Sequence, residues 1–108
     1  MIKIEAVILP LKLVAVRQEL ERRGIHVSLT LTNVRRTVEK GSCLAGKQTT
    51  ELFEVWVKVE LIVGDRQAGK VVEIITQYAR VTAKKAAGHV ALLRVTEVLQ
   101  LVPTLSRK

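Results

Sequence analysis

Aromatic residues are nearly missing from this chain: one phenylalanine, one tyrosine and one tryptophan in 108 residues. So small a set excludes the rows of stacked rings that hold single-stranded nucleic acids, and Phe53 and Tyr78 stand too far apart in the pattern to form a platform. The single cysteine, Cys43, rules out an internal disulfide and favours a reducing compartment. No apolar run reaches membrane-spanning length, so no membrane insertion is expected. The opening "MIKIEAVILP" alternates charged and apolar residues and has no signal-peptide cleavage pattern; a cytoplasmic location is expected. Catalytic motifs are missing too. There is no G-x-S-x-G and no Ser/His/Asp arrangement, and "GDRQAGK" ends in Gly-Lys without the spacing of a phosphate-binding loop. His26, His89 and Cys43 sit at no ligand spacing, so no metal is expected. The chain reads as a non-enzyme.

What is present is a globular composition, 48% hydrophobic and 26% charged, of a size for one domain over residues 1–108. The net charge of +8 is uneven. Residues 35–50 carry +3, residues 80–89 carry +3, and residues 51–79 carry −2. Positive charge gathered into irregular segments suits an anionic partner: a nucleotide, a nucleic acid or an acidic protein surface. A generic basic surface fits the same numbers.

The apolar pattern repeats one plan twice. "IKIEAVIL" alternates with Ile2, Ile4, Ala6 and Ile8 on one face, a strand that Pro10 ends. "LVAVRQELERRG" places Leu13, Val16 and Leu20 at helical spacing, pairs Glu19 with Arg23, and offers Gly24 as the residue past the helix end. "IHVSLTLTNV" alternates again through Ile25, Val27, Leu29 and Leu31. After a polar stretch, "FEVWVKVELIV" is a third strand, Asp65 a helix cap, and "RQAGKVVEIITQYAR" a helix presenting Ala68, Val71, Val72, Ile75 and Tyr78. "VALLRV" is a fourth strand, "TEVLQL" a final short strand or turn, and residues 99–108 a tail. Two βαβ units with one apolar sheet face predict an α+β, ferredoxin-like double βαβ sandwich: an antiparallel sheet with two helices on one face. The other face carries Lys3, Glu5, Lys58 and Glu60 with Val7 and Trp56 among them. That mixture predicts burial by oligomerisation, with Trp56 in the interface.

Between the second and third strands, "VRRTVEKGSCLAGKQTTELFEVWVKVE" spends about 15 residues on polar, basic sequence, a loop length usually tied to function or disorder. Within it Cys43 reads as an ordinary free thiol. Further on, Lys84 and Lys85 with Gly88 and His89 suit either an anion cradle or a solvated basic turn. Glu60 suits either a ligand hydrogen bond or a cross-strand ion pair with a lysine.

The opening "IKIEAVILPLKL" resembles the start of PII signalling proteins, with Ile4, Glu5, Ala6, Ile8, Pro10, Lys12 and Leu13 in place. "LERRGIH" is similar to that family's helix-to-strand turn. "TLTNVRRTVEKG" matches its second strand and loop root at Thr30, Thr32, Val34, Arg35, Lys40 and Gly41, and "VKVELIVGD" looks like its third strand. The resemblance runs from Met1 to about Val98. It implies a homotrimer that binds adenine nucleotides in clefts between subunits. It also implies a T-loop, here about residues 36–50, that contacts a protein partner such as a membrane transporter or metabolic enzyme; Lys40, Gly41, Cys43 and Lys47 would lie on that surface. The B-loop would be about residues 82–89. Taken with the residue reading above, ligand binding is expected at Arg35, Arg36, Glu60, Thr82, Lys84, Lys85, Gly88 and His89, with an adenine nucleotide as the candidate ligand and no certain cofactor. The chain departs from the family at Ala83, Ala86 and Ala87, which replace residues that let the backbone approach phosphate closely. It also has Gln100 and Val102 where two arginines are expected. The resemblance therefore implies weak ATP binding. The alternative reading is a basic ferredoxin-like module that binds nucleic acid, opposed by the few aromatics and the lack of an RNA-recognition motif.

Overall fold

A computed structural model describes residues 1–37, 53–81 and 88–102. Six elements follow one another: β1 (Ile2–Ile8), α1 (Pro10–Arg22), β2 (Thr30–Thr37), β3 (Phe53–Val63), α2 (Asp65–Tyr78) and β4 (His89–Arg94). The strands form one sheet in the order β2-β3-β1-β4, and every neighbouring pair is antiparallel. Each βαβ unit therefore skips a strand: β3 lies between β1 and β2, and β1 lies between β3 and β4. This is the α+β, ferredoxin-like arrangement expected of two βαβ units.

Alternation decides the faces. Ile4, Ala6 and Ile8 of β1 and Val57, Val59, Leu61 and Val63 of β3 are buried on one side. Val16 and Leu20 of α1 and Ala68, Val71, Ile74 and Ile75 of α2 close over them. Pro10 does more than end β1. It is the first residue of α1, where its missing N–H removes no helical hydrogen bond. At the other end Gly24 takes φ +76°, its N–H reaches the Glu21 carbonyl at 3.0 Å, and the Ile25 N–H reaches Leu20 at 2.9 Å. That pair of bonds is a Schellman motif, so Gly24 is the left-handed terminator that its position announced. Glu19 is buried beside this end, its carboxylate gripped by Arg22 at 2.7 and 3.0 Å and by Arg23 at 2.7 Å.

Two sequence expectations are corrected. The second strand was expected from Ile25, but β2 starts at Thr30. Ile25 is buried and Val27 and Leu29 pack against the core; alternation there reports which side chains face inward, and no ladder accompanies it. Asp65 was expected as the cap of α2, but Gly64 holds that position and Asp65 is the first helical residue. Its carboxylate still favours the helix dipole and meets the Met1 amino group at 2.9 Å. Of the short strand or turn expected over residues 96–101, the strand does not form.

Candidate functional site

The site residues must be placed by strand register. Thr37 pairs with Phe53, so Arg36 stands opposite Glu54, and Arg35 opposite Val55. Arg35 and Arg36 therefore belong to the end of β2, which holds through Thr37. Successive strand residues face opposite ways, and the two arginines reach the neighbouring strand along opposite diagonals, Arg36 to Trp56 and Arg35 to Phe53. Arg36 lies over the Trp56 ring on the face that no helix covers, 4.4 Å from guanidinium carbon to ring centroid. Arg35 lies over Phe53 on the other face, at 5.3 Å.

Trp56 is 1% exposed within a single subunit. The expectation that it forms subunit-interface core is corrected: its own chain covers it. Its indole N–H donates to Glu54 Oε1 at 3.0 Å. A Cβ built on Gly88 would lie 3.4 Å from Trp56 Cζ3 and would collide with the Val7 carbonyl oxygen. Gly88 is a glycine because its backbone passes close over β1 and the indole. His89 follows it as the first residue of β4, opposite Val7. The fold thus brings Arg36, Gly88 and His89 to one end of the sheet, with Trp56 between Arg36 and Gly88.

Glu60 is elsewhere. It lies four residues along β3 from Trp56, about 13 Å at the usual strand rise. Lys3 reaches it at 3.6 Å and Lys58 at 3.4 Å, while Lys3 also reaches Glu5 at 3.2 Å. Partial burial works against its ionisation, but the Lys58 hydrogen bond and the charges of Lys3 and Lys58 prevail, leaving its pKa below the ordinary carboxylate value. Lys3 is raised in turn, first by its hydrogen bond to Glu5 and then by the Glu60 charge. The ion-pair alternative for Glu60 is the one the geometry realises. Thr82, Lys84 and Lys85, and Lys40, Gly41, Cys43 and Lys47, lie outside the described residues.

Two clefts deserve comparison. One of about 580 Å³ lies between α1 and the extended stretch at residues 25–31, with Arg17, Glu21 and His26 on its rim; it holds none of the predicted ligand residues. A smaller one of about 340 Å³ lies between α2 and the start of β4, lined by Ile8, Ile75, Thr76, Arg80, Gly88 and His89 among others. The smaller cleft is the better candidate, since its cationic rim adjoins residues 82–87. Gly88 lines this cleft and also backs onto Trp56. Sequence reasoning missed Trp56, Glu54 and Arg80 as neighbours of the site. Only the β2–β3 register reveals the first two, because it sets Arg36 diagonal to Trp56 across a gap of twenty residues.

No helix among the described residues is long and apolar enough to cross a membrane. No curated protein matches the chain. The family model for nitrogen regulatory protein P-II matches residues 1–103. With nearly the whole length matched, and with the ferredoxin-like sheet that the resemblance implied, the chain belongs to the nitrogen regulatory protein P-II family.

Proposed function

We propose that this P-II family member is a non-enzymatic regulatory protein that senses a small anionic metabolite, with an adenine nucleotide foremost, and signals through residues 36–50 to a protein partner. The coarse role, regulatory signalling of the PII type, follows from family membership. The finer reading is carried by one observation: the segments with the most positive charge leave the sheet at the same end. Residues 35–50 and 80–89 each carry +3, and the end of β2, the start of β3 and the start of β4 meet around Trp56 and Gly88. Positively charged segments rooted at one end of the sheet suit an anion, attracted by charge and held by charge-assisted hydrogen bonds.

The ligand lies in a cleft completed by a neighbouring subunit of a homotrimer. Ile62 and Leu93, both more than a third exposed, stand on the face that no helix covers and supply apolar contact. The chain end contributes exposed Leu99, Leu101 and Val102. A partner such as a transporter or metabolic enzyme docks on residues including Lys40, Gly41, Cys43 and Lys47.

A thermal-shift screen of ATP, ADP, AMP, cyclic nucleotides and bicarbonate tests the ligand class, because a ligand of the native state raises its apparent stability. At least one should raise the midpoint in proportion to the logarithm of its concentration, and Lys84→Ala with Lys85→Ala should remove the effect. ATP should be among the weaker ligands, since the alanines at 83, 86 and 87 leave its phosphates under-supplied with donors. Stability unchanged by every ligand would refute the sensing role. Light scattering should report about three chains per particle, the family's usual assembly number; a stable monomer would remove the cleft between subunits.

A further inference from the structure

Trp56 is the sole tryptophan of the chain and is fully covered, although it stands on the face without helices. Two groups of the candidate site lie near it. The Arg36 guanidinium lies over its ring at 4.4 Å, and a side-chain carbon added at Gly88 would meet its Cζ3 edge at 3.4 Å. Glu54, which faces Arg36 across the ladder, accepts the indole N–H at 3.0 Å and so fixes the ring within its own strand. A guanidinium over an indole face is held there by cation–π attraction. The ring therefore limits where Arg36 meets an anion.

We propose that Trp56 is a positioning residue for the anion site: its ring holds the Arg36 guanidinium in place near the start of β4. The inference rests on the anion-binding reading above. The anion it suits is a phosphate group on a small molecule. Because the ring lies under Arg36, an anion that pulls on Arg36 changes the surroundings of the only tryptophan.

Calorimetry of ATP, ADP, AMP and inorganic phosphate tests this on the wild type, Trp56→Leu, Trp56→Phe, Arg36→Gln and the Trp56→Leu, Arg36→Gln double variant. For the tightest of these probes, each of Trp56→Leu and Arg36→Gln should weaken binding about tenfold, and the double variant no further. Trp56→Phe, which keeps a ring face, should recover part of the loss. Wild-type tryptophan emission should change saturably with the calorimetric midpoint, and that change should vanish in Arg36→Gln. Losses that multiply to about a hundredfold in the double variant would show two independent residues and overturn the proposal; so would wild-type affinity in Trp56→Leu. If no probe binds the wild type, the anion-binding reading itself falls and takes this proposal with it. Should circular dichroism show Trp56→Leu unfolded, Trp56→Phe and Arg36→Lys replace it in the cycle, and the same additivity criterion decides.

Discussion

The two faces of the sheet are built on different physics. Under the helices, Ile4, Val59, Val71 and Ile74 are completely or almost completely buried and carry no polar atoms on their side chains. On the other face the middle is a quartet of charges, Lys3, Glu5, Lys58 and Glu60, paired at 3.2–3.6 Å, and among the described residues the large buried side chain there is Trp56. The helix-covered face gains from removing apolar surface from water, a term proportional to area and indifferent to direction. The open face gains little from its exposed ion pairs, which water and salt screen, but those pairs and the Arg36–Trp56 stack depend on direction. One face secures the fold, and the other places particular groups. A family that changes what it senses while keeping its fold has room to vary the second without disturbing the first.

The comparison breaks first if truncation costs the same on both faces. Ile74→Ala should lower stability by about 2–5 kcal/mol, the usual range for emptying a filled core site. Ile62→Ala and Leu93→Ala, on the open face, should stay within about 0.5 kcal/mol for the isolated subunit yet reduce the particle mass seen by light scattering. Chemical denaturation measures the first quantity. Equal losses at Ile74 and Ile62 would mean that the open face is as much a core as the covered one.

A second substitution tests where the faces meet. Gly88→Ala would press a methyl group onto the Val7 carbonyl and the Trp56 ring. Backbone cannot yield as a flexible side chain does, so the loss should be on the order of 1–3 kcal/mol, with a shift in tryptophan emission. A neutral substitution with unchanged emission would mean that residue 88 does not lie against Val7 and near Trp56.

Most of the covered face was legible in the sequence, because period-2 and period-3.6 patterns are statements about burial, and burial is what that face consists of. Ile4, Val16, Val59 and Val71 needed nothing more, and Gly24 declared its helix end. The misplaced start of β2 has the same origin: Ile25, Val27 and Leu29 alternate because they pack on the core, while the ladder to β3 begins only at Thr30. The site was legible only in part. Lys58 and Glu60 share a strand face, which suggested the ion pair. Nothing local announced that Arg36 would cover Trp56, because their adjacency depends on the β2–β3 register, set by pairing between distant segments. Without it a tryptophan on a mixed face reads as interface. The cap at Gly64 was hidden for a smaller reason: an aspartate in the first helical turn and one at the cap serve similar electrostatic ends.

Acid separates the faces more finely. Glu19 is the buried carboxylate at the end of α1, and the hydrogen bonds and charges of Arg22 and Arg23 hold its pKa down to about 2 from an ordinary value of 4.5. A depressed carboxylate contributes stability that is fully present above pH 4.5 and is lost as pH falls toward 2. Wild-type stability should therefore decline across that window. Glu19→Gln should be less stable at neutral pH and show a flatter acid limb, read from denaturation midpoints at pH 2–7. Glu60 and Asp65, also lowered, add slopes of the same sign, so the informative quantity is the difference between wild type and variant. An identical acid limb in Glu19→Gln would mean that the arginine grip is not formed in solution.

The smallest expected effect is on the open face. Glu60→Gln removes the charge that Lys3 and Lys58 share, but Glu5 remains within 3.2 Å of Lys3. All four side chains of the quartet are partly exposed, so water already solvates them. The stability of the isolated subunit should hardly move at 0.15 M salt, and less still at 1 M, where the screening length shrinks to about 3 Å. Assembly is a different matter. If three copies bring this face together, each quartet loses water, and a lysine deprived of its carboxylate becomes costly to bury. Glu60→Gln should then leave denaturation curves of dilute subunit unchanged while lowering the concentration-dependent mass. Unfolding of the isolated subunit by this one change would contradict the division of labour between the faces. Unchanged assembly would place the subunit contact away from the charged quartet, leaving Ile62, Leu93 and the chain end to supply it.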